Sequence, residues 1–456
     1  MLPNILLVFS DQHRWCDLGC YGNAQVSSPN LDAFGERATR FTHCIANAPL
    51  CVPARASLLT GLHALKHRAI TNDLPVRQDV TSLAHVLGEA GYRTGYVGKW
   101  HLAGVPRDAP VPRGPARLGF EEWKVCECNH DYMHAYYYDE EDRRVDITGY
   151  EPVAQTDLAI DFAKRHRGHP WFLCLSWGPP HDPYHLVPAR YAGLYPRREL
   201  RLRPNVPERI HDTQTRILSG EQIRTNYQGY YAHITALDEQ FGRLLAALDA
   251  TGQREQTIVI YTSDHGDMLG SQGWTNKQLP YDEAIRVPLL VAWGKYTPGH
   301  VTDELIGLVD LPTSILGLVG LRFPDAVDGV DLHRLIIDPE AQGLGACYVY
   351  DLVPCHQAMA RGGSEWRAIR TKQHTLARTA SDTGFALYDN LAAPYQMHNL
   401  INDPQAASVR AELLAQLDAL ISRYDELLLW QEMIRKYGLR QEWNKSQAYF
   451  GLSPLD

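Results

Sequence analysis

No stretch of this 456-residue chain comes near the roughly 20 apolar residues that a bilayer span needs, and nothing in it reads as a repeat or a low-complexity tract. The amino end, Met1-Leu2-Pro3-Asn4, enters an apolar run with no basic segment before it. The run stops at Asp11 without a small-residue cleavage site. Basic residues are the minority: 44 Lys and Arg against 53 Asp and Glu leave a net charge of −9, with no basic stripe. That balance argues against nucleic acid as a partner and repels anionic polymers except where a cationic pocket is built locally. Cysteine is also short of a framework, because nine is an odd number and the spacing is irregular. A reducing compartment is the reading that follows. A cytoplasmic protein with no membrane partner is therefore expected, the alternative being a mature secreted form that has lost its signal peptide.

What is present is an ordinary globular composition, 45% hydrophobic and 21% charged, on a length that suits one large domain with a smaller appendage. Short apolar runs alternate with amphipathic helical patterns through about the first 320 residues. This is the pattern of a parallel sheet with helices on both faces. The runs Ile5 to Ser10, Tyr92 to Val97, Trp171 to Trp177 and Ile258 to Ser263 each deliver polar residues at their carboxyl ends: Asp11, Lys99 and His101, His181, and Asp264. Ligands of open parallel sheets bind at that edge. Helices are predicted over Thr81–Ala90 and Tyr231–Ala250, with Gly91 and Gly252 as stops. Residues 184–228, rich in Pro and Arg, read as a surface excursion. The expected division is a catalytic α/β domain over 1–350 and a subdomain over 351–456, the latter holding a small antiparallel sheet (Trp366 to Arg370, His374 to Ala377, Phe385 to Tyr388) and a helix from about Pro404 to Leu429. The apolar residues Leu427 to Trp430, Trp443, Tyr449 and Phe450 should pack on the main domain or on a second subunit, which would make a homo-oligomer.

The densest chemistry lies in Cys51-Val52-Pro53-Ala54-Arg55, continued by Ala56-Ser57-Leu58-Leu59-Thr60-Gly61. Pro53 suits a first helical turn and Gly61 the position past the last, so a helix over about 53–60 is predicted. Cys51 then stands at its amino end with Arg55 on the same side, where free N–H groups already favour an anion. Asp11-Gln12 and Asp264-His265-Gly266-Asp267 offer oxygen ligands and an imidazole for a divalent cation.

The pattern Cys-x-Pro-x-Arg ending in Leu59-Thr60-Gly61 resembles the type I sulfatase signature, in which a maturation enzyme oxidises the cysteine to formylglycine. Gly98-Lys99-Trp100-His101 resembles the family's Gly-Lys-x-His segment. His181, Lys277, Tyr281-Asp282-Glu283-Ala284, Arg286-Val287-Pro288, Leu387-Tyr388-Asp389 and Asn399-Leu400 also match, so the resemblance covers nearly the whole chain. It implies an alkaline phosphatase-like α/β fold: a large, mixed but mostly parallel sheet sandwiched by helices.

The resemblance further implies a sulfuric ester hydrolase acting on an aryl, alkyl or carbohydrate sulfate. One Ca²⁺ or Mn²⁺ would be held by Asp11, Gln12, Cys51, Asp264 and His265. Hydrated formylglycine at position 51 would attack sulfur with one hydroxyl and expel sulfate by deprotonation of the other. Arg55 would stabilise the diol, Lys99 and Lys277 would hold sulfate oxygens, His101 would assist breakdown of the intermediate, and His181 would serve the leaving oxygen. Gln12 stands where many members carry aspartate and His265 where many carry asparagine. Both choices resemble phosphonate monoester hydrolases, so a phosphonate monoester or phosphodiester hydrolase is the alternative, against which Lys99-Trp100-His101 argues. A noncatalytic binder of sulfated ligands is the third reading. The segment Cys126-Glu127-Cys128-Asn129-His130, with His134, lacks zinc-knuckle spacing and is expected to be a folded loop or pocket wall.

Overall fold

All eight residues of β1 (Asn4–Asp11) are buried, as a strand covered on both faces requires. Ile5, Leu7 and Phe9 face one layer with Leu58, Leu59 and Leu83, while Leu6 and Val8 face the other with Leu237 and Phe241. The computed structural model describes residues 2–381 and 384–455. Its large sheet holds β1, β2 (Thr39–Ile45), β3 (Arg93–Lys99), β4 (Glu122–Cys126), β5 (Tyr136–Tyr138), β6 (Arg144–Asp146), β7 (Trp171–Pro180), β10 (Thr257–Ser263), β11 (Arg286–Trp293) and β12 (Val301–Gly307). Strands β8 (Arg209–His211) and β9 (Ile217–Ser219) make a separate hairpin in the expected excursion.

The spatial order is β12-β2-β11-β10-β1-β7-β3-β4-β5-β6. The central run β10-β1-β7-β3-β4 is parallel throughout. Antiparallel β11 and the short β5 and β6 make the sheet mixed. This is the expected α/β architecture, and the parallel centre sends the carboxyl ends of β1, β3, β7 and β10 to one edge.

The helix predicted from Tyr231 begins earlier, at Gly220, and runs to Ala250. Its added turns bury Ile223, Tyr227 and Tyr230 at helical spacing, a stripe set among Gly220, Thr225, Asn226 and Gly229 in a segment whose Pro and Arg content reads as a surface excursion. The Ser219 N–H donates to Gln222 Oε1 at 3.2 Å and starts the helix. Further on, Leu237, Phe241 and Leu244 are buried against the sheet, each contributing about 1.5–3 kcal/mol.

Strands β13 (Ala346–Asp351), β14 (Trp366–Thr371), β15 (His374–Arg378) and β16 (Ala386–Asp389) form the small antiparallel sheet in sequential order. The helix after them spans Ala407–Tyr424, shorter than its apolar pattern suggests, because Asp425 leaves the helical path and its carboxylate pairs with the buried Arg367. The C-terminal aromatics pack on their own chain. Trp443 is buried with Leu417, Met433 and Tyr348, and the Phe450 ring stacks on His356 (centroids 4.6 Å apart) with the Arg107 guanidinium 4.9 Å from its centroid. Among the described residues no helix is long and apolar enough to cross a membrane.

Candidate active site

Register builds the centre of the site. In the parallel pair β1–β10, Ser10 lies opposite Ser263, so Asp11 and Asp264, each one residue further on, emerge side by side. Lys99 ends β3, and His181 follows the last residue of β7. Two glycines permit the close approach. A Cβ on Gly98 would stand 2.0 Å from the Ser176 carbonyl oxygen, and one on Gly266 would stand 2.0 Å from that of Glu283.

The helix over this edge spans Cys51–Thr60, starts at Cys51 itself, and ends at Gly61 in the left-handed conformation. Its Val52 N–H donates to Asn72 Oδ1 at 3.1 Å, which satisfies a donor of the first turn from outside the helix. Cys51 Sγ lies 3.2 Å from His265 Nε2, 3.7 Å from Asp11 Oδ1 and 4.0 Å from Lys99 Nζ. Arg55 is fully buried and divides its guanidinium among four acceptors. Nε donates to Asp264 Oδ2 (2.9 Å), Nη2 to Asp11 Oδ2 (3.0 Å), and Nη1 to Ser176 Oγ (2.7 Å) and the Lys99 carbonyl (2.8 Å).

Because Arg55 takes the Oδ2 atoms, the Oδ1 atoms of both aspartates turn toward Cys51 and His265. Asp11, Cys51, Asp264 and His265 each offer a donor atom within 4.8 Å of the others, and all four are buried. His265 Nδ1 lies 2.9 Å from the Gly266 carbonyl, which fixes its proton there and leaves the Nε2 lone pair facing the group. Burial, then the neighbouring Asp11 carboxylate, push Asp264 upward. Burial acts on Asp11 in the same sense, but Lys99 Nζ at 2.6 Å and Arg55 outweigh it and hold Asp11 well below the usual carboxylate range. Two buried carboxylates, one of them still pushed up, together with an oriented imidazole, fit a divalent cation.

Gln12 adopts φ 69° and its N–H donates to Asp264 Oδ1 at 3.0 Å. Its amide links two neighbours, since Oε1 accepts from Lys277 Nζ (2.5 Å) and Nε2 donates to Asp267 Oδ2 (2.8 Å). Asp267, the last residue of the Asp264–Asp267 segment, ties three segments together. It accepts from Tyr184, Leu269 N–H and Asn276 N–H as well. Lys277 Nζ also contacts His181 Nε2 at 2.7 Å, while His181 Nδ1 lies 2.7 Å from the Asp182 carbonyl. His101 has φ 58° and is buried, with Nε2 3.5 Å from Asp73 Oδ1. Arg107 clamps that carboxylate with contacts of 2.7 and 2.8 Å. Burial disfavours the His101 cation, but Cys128 and Asp73 outweigh it and raise the imidazole to about 10.

The structure thus gathers Asp11, Gln12, Cys51, Arg55, Lys99, His181, Asp264, His265 and Lys277 at one sheet edge, with His101 on the Asp73 side. Sequence reasoning missed Asp73, Arg107 and Ser176, which carry no motif of their own. Among the described residues the Cys126–His134 segment contributes no cluster of three metal donors. It is a folded loop: Cys128 and His130 contact each other at 3.4 Å, and His130 stacks on His181.

The profile of the sulfatase family matches residues 3–321. The chain belongs to the sulfatase family. A second profile, that of the N-sulphoglucosamine sulphohydrolase C-terminal region, matches residues 270–423 of this sulfatase. The ulvan-active sulfatase of Formosa agariphila is 36% identical over 443 residues, covering 95% of this chain and 84% of that protein. Among solved structures, the candidate sulfatase yidJ of Bacteroides fragilis superposes with a TM-score of 0.83 at 25% identity over 93% of this chain and 97% of that one. A phosphonate monoester hydrolase from Silicibacter pomeroyi superposes with a TM-score of 0.78 at 25% identity, over 92% and 96%. This sulfatase is an enzyme that hydrolyses sulfate esters.

Proposed function

We propose that the substrate is a carbohydrate sulfate monoester, cleaved at Cys51 after its oxidation to formylglycine by a maturation enzyme, with one Ca²⁺ or Mn²⁺ held by Asp11, Asp264, His265 and residue 51. Gln12 Oε1, whose second lone pair stays available beside the Lys277 contact, supplies a further oxygen. The observation that carries the reading is the convergence of Cys51, Lys99 and His265 within 4.0 Å, at a helix amino end backed by Arg55. When bound, the cation and the aldehyde hydrate together supply a nucleophile at neutral pH and neutralise sulfate charge.

The chain's own residues do the rest. Arg55 holds both aspartates, so neither carboxylate swings toward the sulfate. Lys99 and Lys277 donate to sulfate oxygens as charge spreads onto them. A sulfate oxygen that accepts from Lys277 frees His181 Nε2, which takes up a proton from water and, as imidazolium, delivers it to the departing alkoxide. His101, oriented by Asp73 and cationic at working pH, donates a hydrogen bond to the sulfate oxygen that leaves residue 51, while the hydroxyl proton whose loss expels sulfate passes to water.

The sugar assignment is supported by a cavity of about 370 Å³ whose lining sets Asp182, Asp212, Arg216, Asn226 and Asn276 beside the apolar Leu218. Asp182 follows His181 and Asn276 precedes Lys277, so the cavity adjoins the side from which the alcohol departs. Its hydroxyl, amide and charged groups match a ring rich in hydroxyls better than a steroid or a bare aryl group.

Peptide mass spectrometry of residue 51, together with turnover of a panel of sugar, aryl, choline and steroid sulfates, tests the reading. An unmodified Cys51 thiol in fully active protein would overturn it. Phosphonate monoester hydrolysis is the second reading, favoured by Gln12, His265 and the solved neighbour of that name. A higher kcat/KM for an aryl phosphonate than for the matched aryl sulfate would put it first.

A further inference from the structure

The loop after β4 carries no direct role in the chemistry above, yet it holds the residue proposed as the leaving-group acid from two sides. The His130 and His181 rings are nearly parallel, at 14°, with centroids 4.2 Å apart. From the same loop, the Tyr132 hydroxyl donates to the His181 carbonyl at 2.9 Å. His130 is itself fastened at both nitrogens, Nδ1 lying 3.3 Å from the Tyr132 hydroxyl and Nε2 3.4 Å from Cys128 Sγ. Tyr132 is fully buried and Cys128 nearly so. Cys128, His130 and Tyr132 occupy three successive even positions, so one short segment contributes the anchor, the ring and the backbone contact.

An imidazole attached to a loop rotates freely about its terminal torsion unless something packs on its face. His181 begins such a loop, directly after β7. Its Nδ1 is tied to the Asp182 carbonyl at 2.7 Å, a contact that tolerates a range of ring tilts. The stacked ring removes that freedom and keeps Nε2 on the line toward Lys277.

We infer that His130 is a positioning residue for His181, with Cys128 and Tyr132 as its supports, and that the loop sets how well the enzyme handles poor leaving groups. Burial drives His130 down to about 4, so the ring that packs on His181 is neutral at working pH and adds no charge repulsion to a protonated partner. The inference rests on the acid role proposed for His181.

The test is a series of sulfate esters running from nitrophenyl sulfate, whose leaving group needs little protonation, to alkyl and sugar sulfates, whose leaving groups need much. His130→Ala should lower kcat/KM for the alkyl and sugar esters by on the order of 10–10², the scale of a misplaced acid, and the loss for nitrophenyl sulfate should be at least tenfold smaller. His130→Phe, which keeps the stack, should recover most of the loss. In a His181→Ala background, His130→Ala should add nothing. If His130→Ala does not fold, Tyr132→Phe removes the contact to the His181 carbonyl without changing volume and should show the same leaving-group dependence, more weakly. A leaving-group-dependent His181→Ala beside a His130→Ala whose loss is uniform across the series, or additive with His181→Ala, overturns the inference. A His181→Ala that is itself uniform overturns the acid assignment instead.

Discussion

Arg55→Met keeps most of the bulk of the side chain and removes its charge from between two carboxylates. The wild-type guanidinium is fully buried and spends three nitrogens on four acceptors, two of them the Oδ2 atoms of Asp11 and Asp264. After substitution Asp11 retains Lys99, at 2.6 Å, but Asp264 Oδ2 loses its cation, and Ser176 Oγ and the Lys99 carbonyl each lose a donor. Removing one partner from a buried ion pair costs about 3–5 kcal/mol. With a urea slope of about 3 kcal/mol per M for a chain of this size, the midpoint should fall by roughly 1–1.7 M in the presence of chelator.

Adding Ca²⁺ or Mn²⁺ should return part of that loss, since a cation that binds only the folded state stabilises it and relieves the same carboxylates. The sign of the pH effect follows from Asp264, which lies above its ordinary value of 3.8 when folded and rises further without Arg55. The folded variant then keeps a proton that the folded wild type releases, so the deficit of the variant should grow as pH rises above the raised wild-type Asp264 value. Urea unfolding followed by circular dichroism, with and without cation, reads all of this. A midpoint in chelator within about 0.3 M of wild type would refute the reasoning, as would a loss that the cation does not reduce.

Exhaustive chelation should abolish turnover and a divalent cation should restore it; full activity at a verified metal content of zero would contradict the site. Cys51→Ala should abolish turnover with the circular dichroism spectrum unchanged, because the thiol is a small buried group at a helix terminus. Lys99→Ala should lower kcat for sulfate esters by on the order of 10²–10³, the effect of losing one electrostatic contributor, measured against matched wild-type kinetics. The His101 cation, raised from 6.5 to about 10, contributes stability that is fully present below pH 6.5 and lost as pH climbs through 10. Asp73→Asn should move that alkaline loss to lower pH in thermal melts, and an unchanged alkaline limb would show that Asp73 does not support the cation.

The sequence by itself determined the class of fold, because a short apolar run that must be buried on both faces and ends in a polar residue has few homes other than a parallel sheet. It also determined the address of the chemistry: Asp11, Lys99, His181 and Asp264 at strand ends and Cys51 at a helix start are local facts, readable from spacing and from Pro53 and Gly61. Only the tertiary structure decided which of these side chains meet. Asp11 and Asp264 are 253 positions apart, and it is the β1–β10 register that sets them side by side. The choice of Arg55 to bind Oδ2 and free Oδ1, the binding of Gln12 to Lys277 and Asp267, and the support of His101 by Asp73 and Arg107 all depend on distances between elements. Local spacing carries no information about those. The same holds for the loop of Cys128, His130 and Tyr132, whose residues look like an incomplete metal motif in the chain. They become the wall behind His181 only because β4 and β7 both flank β3.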